Sequence, residues 1–157
     1  MKNNIGIKTL TPEQFVRRIY DTKLMLEAAE LEIQRELGQF YVKKFKEPFE
    51  TKSFNGRPWP AARRPKSHPL MIDTGTLRDS IKAEYKAPML VISTNEVCKD
   101  PKRSSSYAAF HNDPMLIPQQ KLSGHGRNLH RQFMGNSRTN EQEAVRLITN
   151  ILTRRIR

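Results

Sequence analysis

The residues able to do chemistry are few: four histidines, one cysteine and some scattered carboxylates. His125 and His130 stand five apart in a glycine-containing stretch without a carboxylate near them in sequence, and His68 and His111 lie far off. A structural zinc site needs cysteine and histidine ligands at characteristic spacings, and no such spacing occurs here. Cys98 and His111 can be drawn as a nucleophile and its base, but a lone thiol beside a strand is more often inert, because reactivity needs the thiolate. Asp73 and Asp79 are six apart and need not converge, and Asp73 is better suited to capping a helix. Gly75 is a single glycine at a helix start rather than a phosphate cradle. No P-loop, dinucleotide-binding glycine pattern or nucleophile elbow is present. These residues predict no catalytic site, no metal and no cofactor.

The stretch from Gly56 to Ile81 is more informative. It holds the single tryptophan, Trp59, and the prolines 58, 60, 65 and 69. Proline fixes φ and removes a donor, so Pro58 to Pro69 predicts neither a regular helix nor a central strand. The expectation is a stiff extended arm over 46–72, with Phe49, Phe54 and Trp59 as scattered anchors, suited to wrapping a neighbour. Asp73 or Thr74 would cap a short helix at 75–81, and Leu77 and Ile81, four apart, would share one face and enter the core.

The elements around the arm follow from periodicity. Thr11-Pro12-Glu13-Gln14 predicts a helix start with a capping box and proline in the first turn. Apolar residues then recur at Phe15, Ile19, Leu26, Ala29, Ile33, Leu37, Phe40 and Phe45, with an uncertain phase between Tyr20 and Met25 that allows a break. As one rod this helix would be roughly 50 Å long, against a radius of gyration near 15 Å for a domain of this size. It must bend, lie along a sheet or project. Lys82–Lys86 and Met89–Thr94 predict a hairpin around Ala87-Pro88, with Val91 in the core. Residues 99–106 and 114–130 read as loops, with a short strand possible at Met115-Leu116-Ile117, and 106–111 as a helical turn or short strand. A last helix runs from Thr139 or Asn140 to Arg155, with Val145, Ile148, Ile151 and Leu152 as its apolar face. Its closing arginines suit the negative end of the helix dipole.

Composition bounds the rest. The 157 residues suggest one domain, with a flexible stretch at 1–10. Apolar content of 36% and a mean hydropathy of -0.72 are low for a compact globule, so much of the chain should be surface or be buried only on assembly. The net charge of +12 is uneven. Residues 1–45 carry 8 basic and 6 acidic side chains, whereas 46–157 carry 20 and 10. Segments 57–69, 114–140 and 146–157 contain no acid and four Lys or Arg each, a charge that attracts phosphate or an acidic protein face. A single cysteine excludes an internal disulfide. No apolar leader and no stretch of roughly 20 apolar residues is present, which predicts a soluble protein made in a cytoplasm, without a membrane partner.

The ordered set of these stretches resembles a known family. The matching residues are Gly56, Trp59 and Pro60; Thr74, Gly75, Leu77, Ser80 and Ile81; Tyr107, Ala108 and His111; and Arg131, Phe133 and Gly135. They are similar to the virion morphogenesis or tail-completion proteins of tailed bacteriophages, the Mu-type group at the head–tail joint, over about residues 11–155. Departures fall at Asn112, Asp113 and Pro114, where members often have a glycine, and at Gln132, where they often have proline. The resemblance implies an α+β protomer, with the long N-terminal and C-terminal helices packed on a small antiparallel sheet beside long extended arms. It implies a non-enzymatic structural protein of the virion neck or tail terminus, made in the host bacterial cytoplasm. Such proteins form a homo-oligomeric ring, commonly sixfold, that completes the tail and docks to the head–tail connector and tail-tube proteins, with weak non-specific DNA contact in the lumen. Candidate interface residues on this reading are Phe54, Trp59, Pro60, Arg63, Arg64, Tyr107, His111, Arg131 and Phe133. Candidate core residues are Leu77, Ile81, Val91 and Ile148. The alternative is a DNA-binding accessory protein that uses its basic face, although the sequence contains no recognition helix or aromatic stacking sheet.

Overall fold

The computed structural model describes residues 10–62, 69–72, 74–86, 88–94, 107–112 and 130–156, with the backbone alone at 107, 110 and 156. Arg63, Arg64, His68, Asp73, Cys98 and His125 lie outside the described residues. So do the side chain of Tyr107, the stretch 1–9, the expected strand at 115–117 and the expected loops at 99–106 and 114–129.

The chain is α+β. Helix α1 (Pro12–Lys46) is unbroken for 35 residues, so the break that the phase between Tyr20 and Met25 allowed does not occur. Thr11 accepts from the Gln14 amide, and the Gln14 side chain accepts from the Thr11 amide, so both donors of the box are satisfied. The helix ends at Glu47, where Pro48 begins the short α2 (Pro48–Thr51).

The region expected to be an extended arm folds back on itself. After α2, strands β1 (Ser53–Phe54) and β2 (Arg57–Pro58) pair antiparallel around Asn55-Gly56. Both turn residues have positive φ, 49° and 73°, the condition of the tightest hairpin turn. Lys52, at φ 56°, donates from its ammonium to the carbonyls of Phe49 and Leu70 and accepts the Trp59 amide at 2.6 Å. Partial burial pushes that amine below its usual range.

Helix α3 (Thr76–Asp79) is capped differently from the expectation. Gly75 stands at its N-cap with φ 80°, a conformation that costs a β-carbon-bearing residue, and Thr74 Oγ1 lies 3.4 Å from the Thr76 amide. Strands β3 (Ile81–Lys86) and β4 (Met89–Thr94) form the predicted hairpin, in register from Ile81↔Thr94 to Lys86↔Met89. Helix α4 (Tyr107–Asn112) and helix α5 (Arg138–Ile156) complete the described elements.

The lower half of α1 lies between the β3–β4 hairpin and α5. Gly38 lets the sheet approach, since a β-carbon there would come within 3.1 Å of Ala83 Cβ. On the other side Glu32 is clamped by Arg154 and by Arg155, whose Nη2 is 2.8 Å away, and Lys44 bonds Glu143 at 2.9 Å. The closing arginines of α5 are therefore held by a carboxylate as well as by their place at the helix end. The buried face of α5 is rotated from the expected one: Ala144 and Ile151 are buried, Ile148 and Leu152 half-buried, and Val145 exposed.

The Arg155 guanidinium holds the Glu32 carboxyl below the usual carboxylate range, helped by the charges of Arg154 and Arg35 and opposed by partial burial. A folded-state value below the unfolded one adds stability above the ordinary carboxylate range and loses it as pH falls through the lowered folded value. Glu32→Gln should therefore lower the urea midpoint at neutral pH and lose its effect in strong acid. An equal loss at both pH values would show that the clamp acts through packing alone.

Candidate assembly interface

Most residues expected to reach a neighbour are instead used inside the chain. Trp59 is 8% exposed and Phe133 1%, and Phe54, His111 and Arg131 are also buried. Only Pro60, of the described candidates, is half-buried. The physical reason is the Asn55-Gly56 reversal, which turns Trp59 back onto α2. Its ring stands edge-on to Phe49 at 5.6 Å, and Phe49 in turn meets Phe133 at 5.2 Å. The indole N–H donates to the Gln132 carbonyl at 2.7 Å. Arg131 donates to the carbonyls of Pro60 and Ala61 at 3.1 and 3.3 Å, so it fastens the end of the arm. Of the expected core residues, Leu77 and Ile81 are buried in this cluster, while Val91 and Ile148 are half-buried.

Two residues of this knot have roles that their sequence context did not predict. Phe49, fully buried, lies four residues after Phe45, a spacing that carries the apolar face of α1 into α2. Asn112 accepts the amides of Phe133 and Met134 through one side-chain oxygen at 3.1 and 2.8 Å, and its carbonyl lies 3.0 Å from His130 Nε2. Asn112 is thus a bracket for the 130–134 segment.

The uncovered surface lies elsewhere. Every residue from Leu10 to Leu24 is exposed. Within this projecting tip Phe15, Val16, Ile19 and Tyr20 are more than half exposed, as is Leu26 just beyond it. Phe15, Ile19 and Leu26 continue the stripe that Ile33 and Leu37 carry into the body, so one amphipathic face runs past the end of its own core. Burial within α1 begins at Ala29. Residues 12–27 carry three acids, Glu13, Asp21 and Glu27, and three bases, Arg17, Arg18 and Lys23. The tip is therefore neutral in a chain of net charge +12.

A second apolar surface is an open groove of about 550 Å³ between the end of α1, β4 and the segment before α5. Leu37, Tyr41, Phe45, Leu90, Ile92 and Met134 line it, with Glu141 at its edge. Burial raises the Tyr41 hydroxyl above its usual range, and the Glu141 charge adds to this, as expected of a phenol facing a carboxylate.

The described residues bring together no three histidine, cysteine, aspartate or glutamate side chains able to hold a metal. No described helix is long and apolar enough to cross a membrane. No protein-family model, curated protein or solved structure matches the chain.

Trp59→Ala should cost about 3–5 kcal/mol of the dilute monomer's unfolding free energy, as buried aromatic truncations do. Trp59→Phe, which keeps a ring but removes the donor to Gln132, should cost about 1–3 kcal/mol. Urea unfolding measures both, and a Trp59→Ala loss below roughly 1 kcal/mol would place the indole on the outside.

Proposed function

We propose that the chain is a non-enzymatic structural protein of a phage virion, placed at the neck or tail terminus. There it assembles into a ring, commonly sixfold for the family it resembles, that completes the tail and joins it to the head connector. The observation that carries this reading is the bare apolar tip of α1. Monomeric proteins seldom leave a large contiguous apolar surface in water, and such patches usually mark interfaces.

The energetics favour a closed assembly over a pair. Covering the exposed halves of Phe15, Val16, Ile19 and Leu26 contributes about 1 kcal/mol each, against roughly 4–15 kcal/mol lost in association. One contact is marginal. A ring holds every subunit twice, with one contact more than the open chain of the same length, and that closing contact forms within the assembly at high effective concentration.

The charge fits the same reading better than a dedicated DNA site. Among the described residues of the acid-free segments, Arg131, Arg154 and Arg155 are engaged within the chain, whereas Arg57, Arg138 and Arg146 are exposed. Exposed cations spread over separate segments, two of them shared with Glu32, give a weak footprint, appropriate to a lumen through which DNA must slide. The protein should bind unrelated duplexes alike and only at low salt, each phosphate contact contributing about -0.9 to the slope of log affinity against log salt. Titration with two unrelated duplexes at low and physiological salt tests this. Nanomolar, sequence-preferring binding at physiological salt would favour the accessory DNA-binding reading instead.

A further inference from the structure

The tip of α1 and the groove are complementary, yet one chain cannot join its own pair. Ile19 and Tyr41 lie on the same unbroken helix, 22 residues apart, which is about 33 Å along its axis. A rod cannot fold onto its own far end, so an occupant of the groove must come from another molecule. We infer that the α1 tip of one subunit seats in the groove of the next, lined by Tyr41, Phe45, Leu90, Ile92 and Met134, in a head-to-tail contact between copies of this chain. The inference rests on the assembly reading above and names both halves of its interface.

Three features select this occupant. Phe15, Ile19 and Leu26 stand at i, i+4 and i+11 on one helix face, with Val16 beside them, the anchor pattern of a helix laid into an apolar groove. Glu141 in the groove lining offers a partner to Arg18, which flanks the stripe. The tip is the neutral part of a basic chain, so it approaches another copy without the repulsion that its basic faces would meet. A contact between two different patches is heterologous, and heterologous contacts generate rings when the rotation closes. Two tips pairing symmetrically would instead stop at a dimer.

Complementation separates these geometries. Ile19→Asp spoils the tip and leaves the groove. Leu90→Glu spoils the groove and leaves the tip, and Glu141→Arg serves as a second groove variant that keeps the apolar lining in case Leu90→Glu does not fold. By sedimentation of concentrated protein, each variant alone should associate at least tenfold more weakly than wild type. An equal mixture of the tip and groove variants should form a two-subunit species and grow no further, because one intact tip and one intact groove remain. A mixture as monomeric as its components would overturn the head-to-tail contact, and groove variants that pair like wild type while Ile19→Asp stays monomeric would replace it with symmetric tip pairing. Variants that assemble as well as wild type would overturn the contact and leave assembly to another surface. A wild-type chain that never associates would overturn this contact and the assembly reading together.

Discussion

Three aromatic rings in edge-on and tilted contact hold the body of this protein together. Phe49 sits between Trp59 and Phe133, and each ring arrives from a different part of the chain: α2, the end of the folded-back arm, and the segment before α5. Large aromatic side chains dominate core energetics through the area they remove from water and prefer edge-on or tilted contacts of this kind. The polar groups that arrive with them are answered locally. The Trp59 indole bonds the Gln132 carbonyl, Arg131 bonds the arm's carbonyls, and Asn112 receives the amides of Phe133 and Met134 in the segment before α5. A buried polar group left unanswered costs more than a hydrogen bond gains, so the rings can meet only if these bonds form with them.

Using the aromatic residues inward decides what remains for association. The described anchors of the arm are occupied within the chain, and among the described residues the tip of α1 is left as a bare apolar surface. One helix therefore has two tasks along its length. From Ala29 onward its stripe is covered by the hairpin and α5 and contributes to folding. From Pro12 to Leu26 the same stripe stands in water, ordered by its capping box and by continuity with the packed half. A short free helix is marginal on its own, but one extended from a helix already formed avoids the cost of nucleation. The Glu32 clamp to Arg154 and Arg155 lies near the junction of the two halves and fixes the direction in which the tip leaves the body.

Much of the fold was legible from local rules. Thr11 and Gln14 marked the start of α1, and two strand-like runs on either side of Ala87-Pro88 marked the β3–β4 hairpin. The arm was misread because its prolines were weighed above Asn55-Gly56, a dipeptide whose positive φ values reverse the chain and return Trp59 to Phe49. The phase of α5 was misjudged because Ala144 is a weak hydrophobic signal beside Val145, although Ala144 is the one that is buried. The Glu32–Arg155 contact spans 123 residues and leaves no local trace. For the candidate interface, the apolar stripe of α1 was visible, but a stripe gives no indication of where its partners end. That depends on the lengths of the hairpin and α5, which tertiary packing determines.

Amide hydrogen exchange, followed as a function of protein concentration, tests the division of labour most directly. The account predicts that residues 12–26 exchange fast in dilute protein and gain protection as subunits associate, while Phe49, Trp59 and Phe133 are protected throughout. Protection of the α1 tip already complete in the dilute monomer would contradict it, as would an aromatic knot that becomes protected only on association.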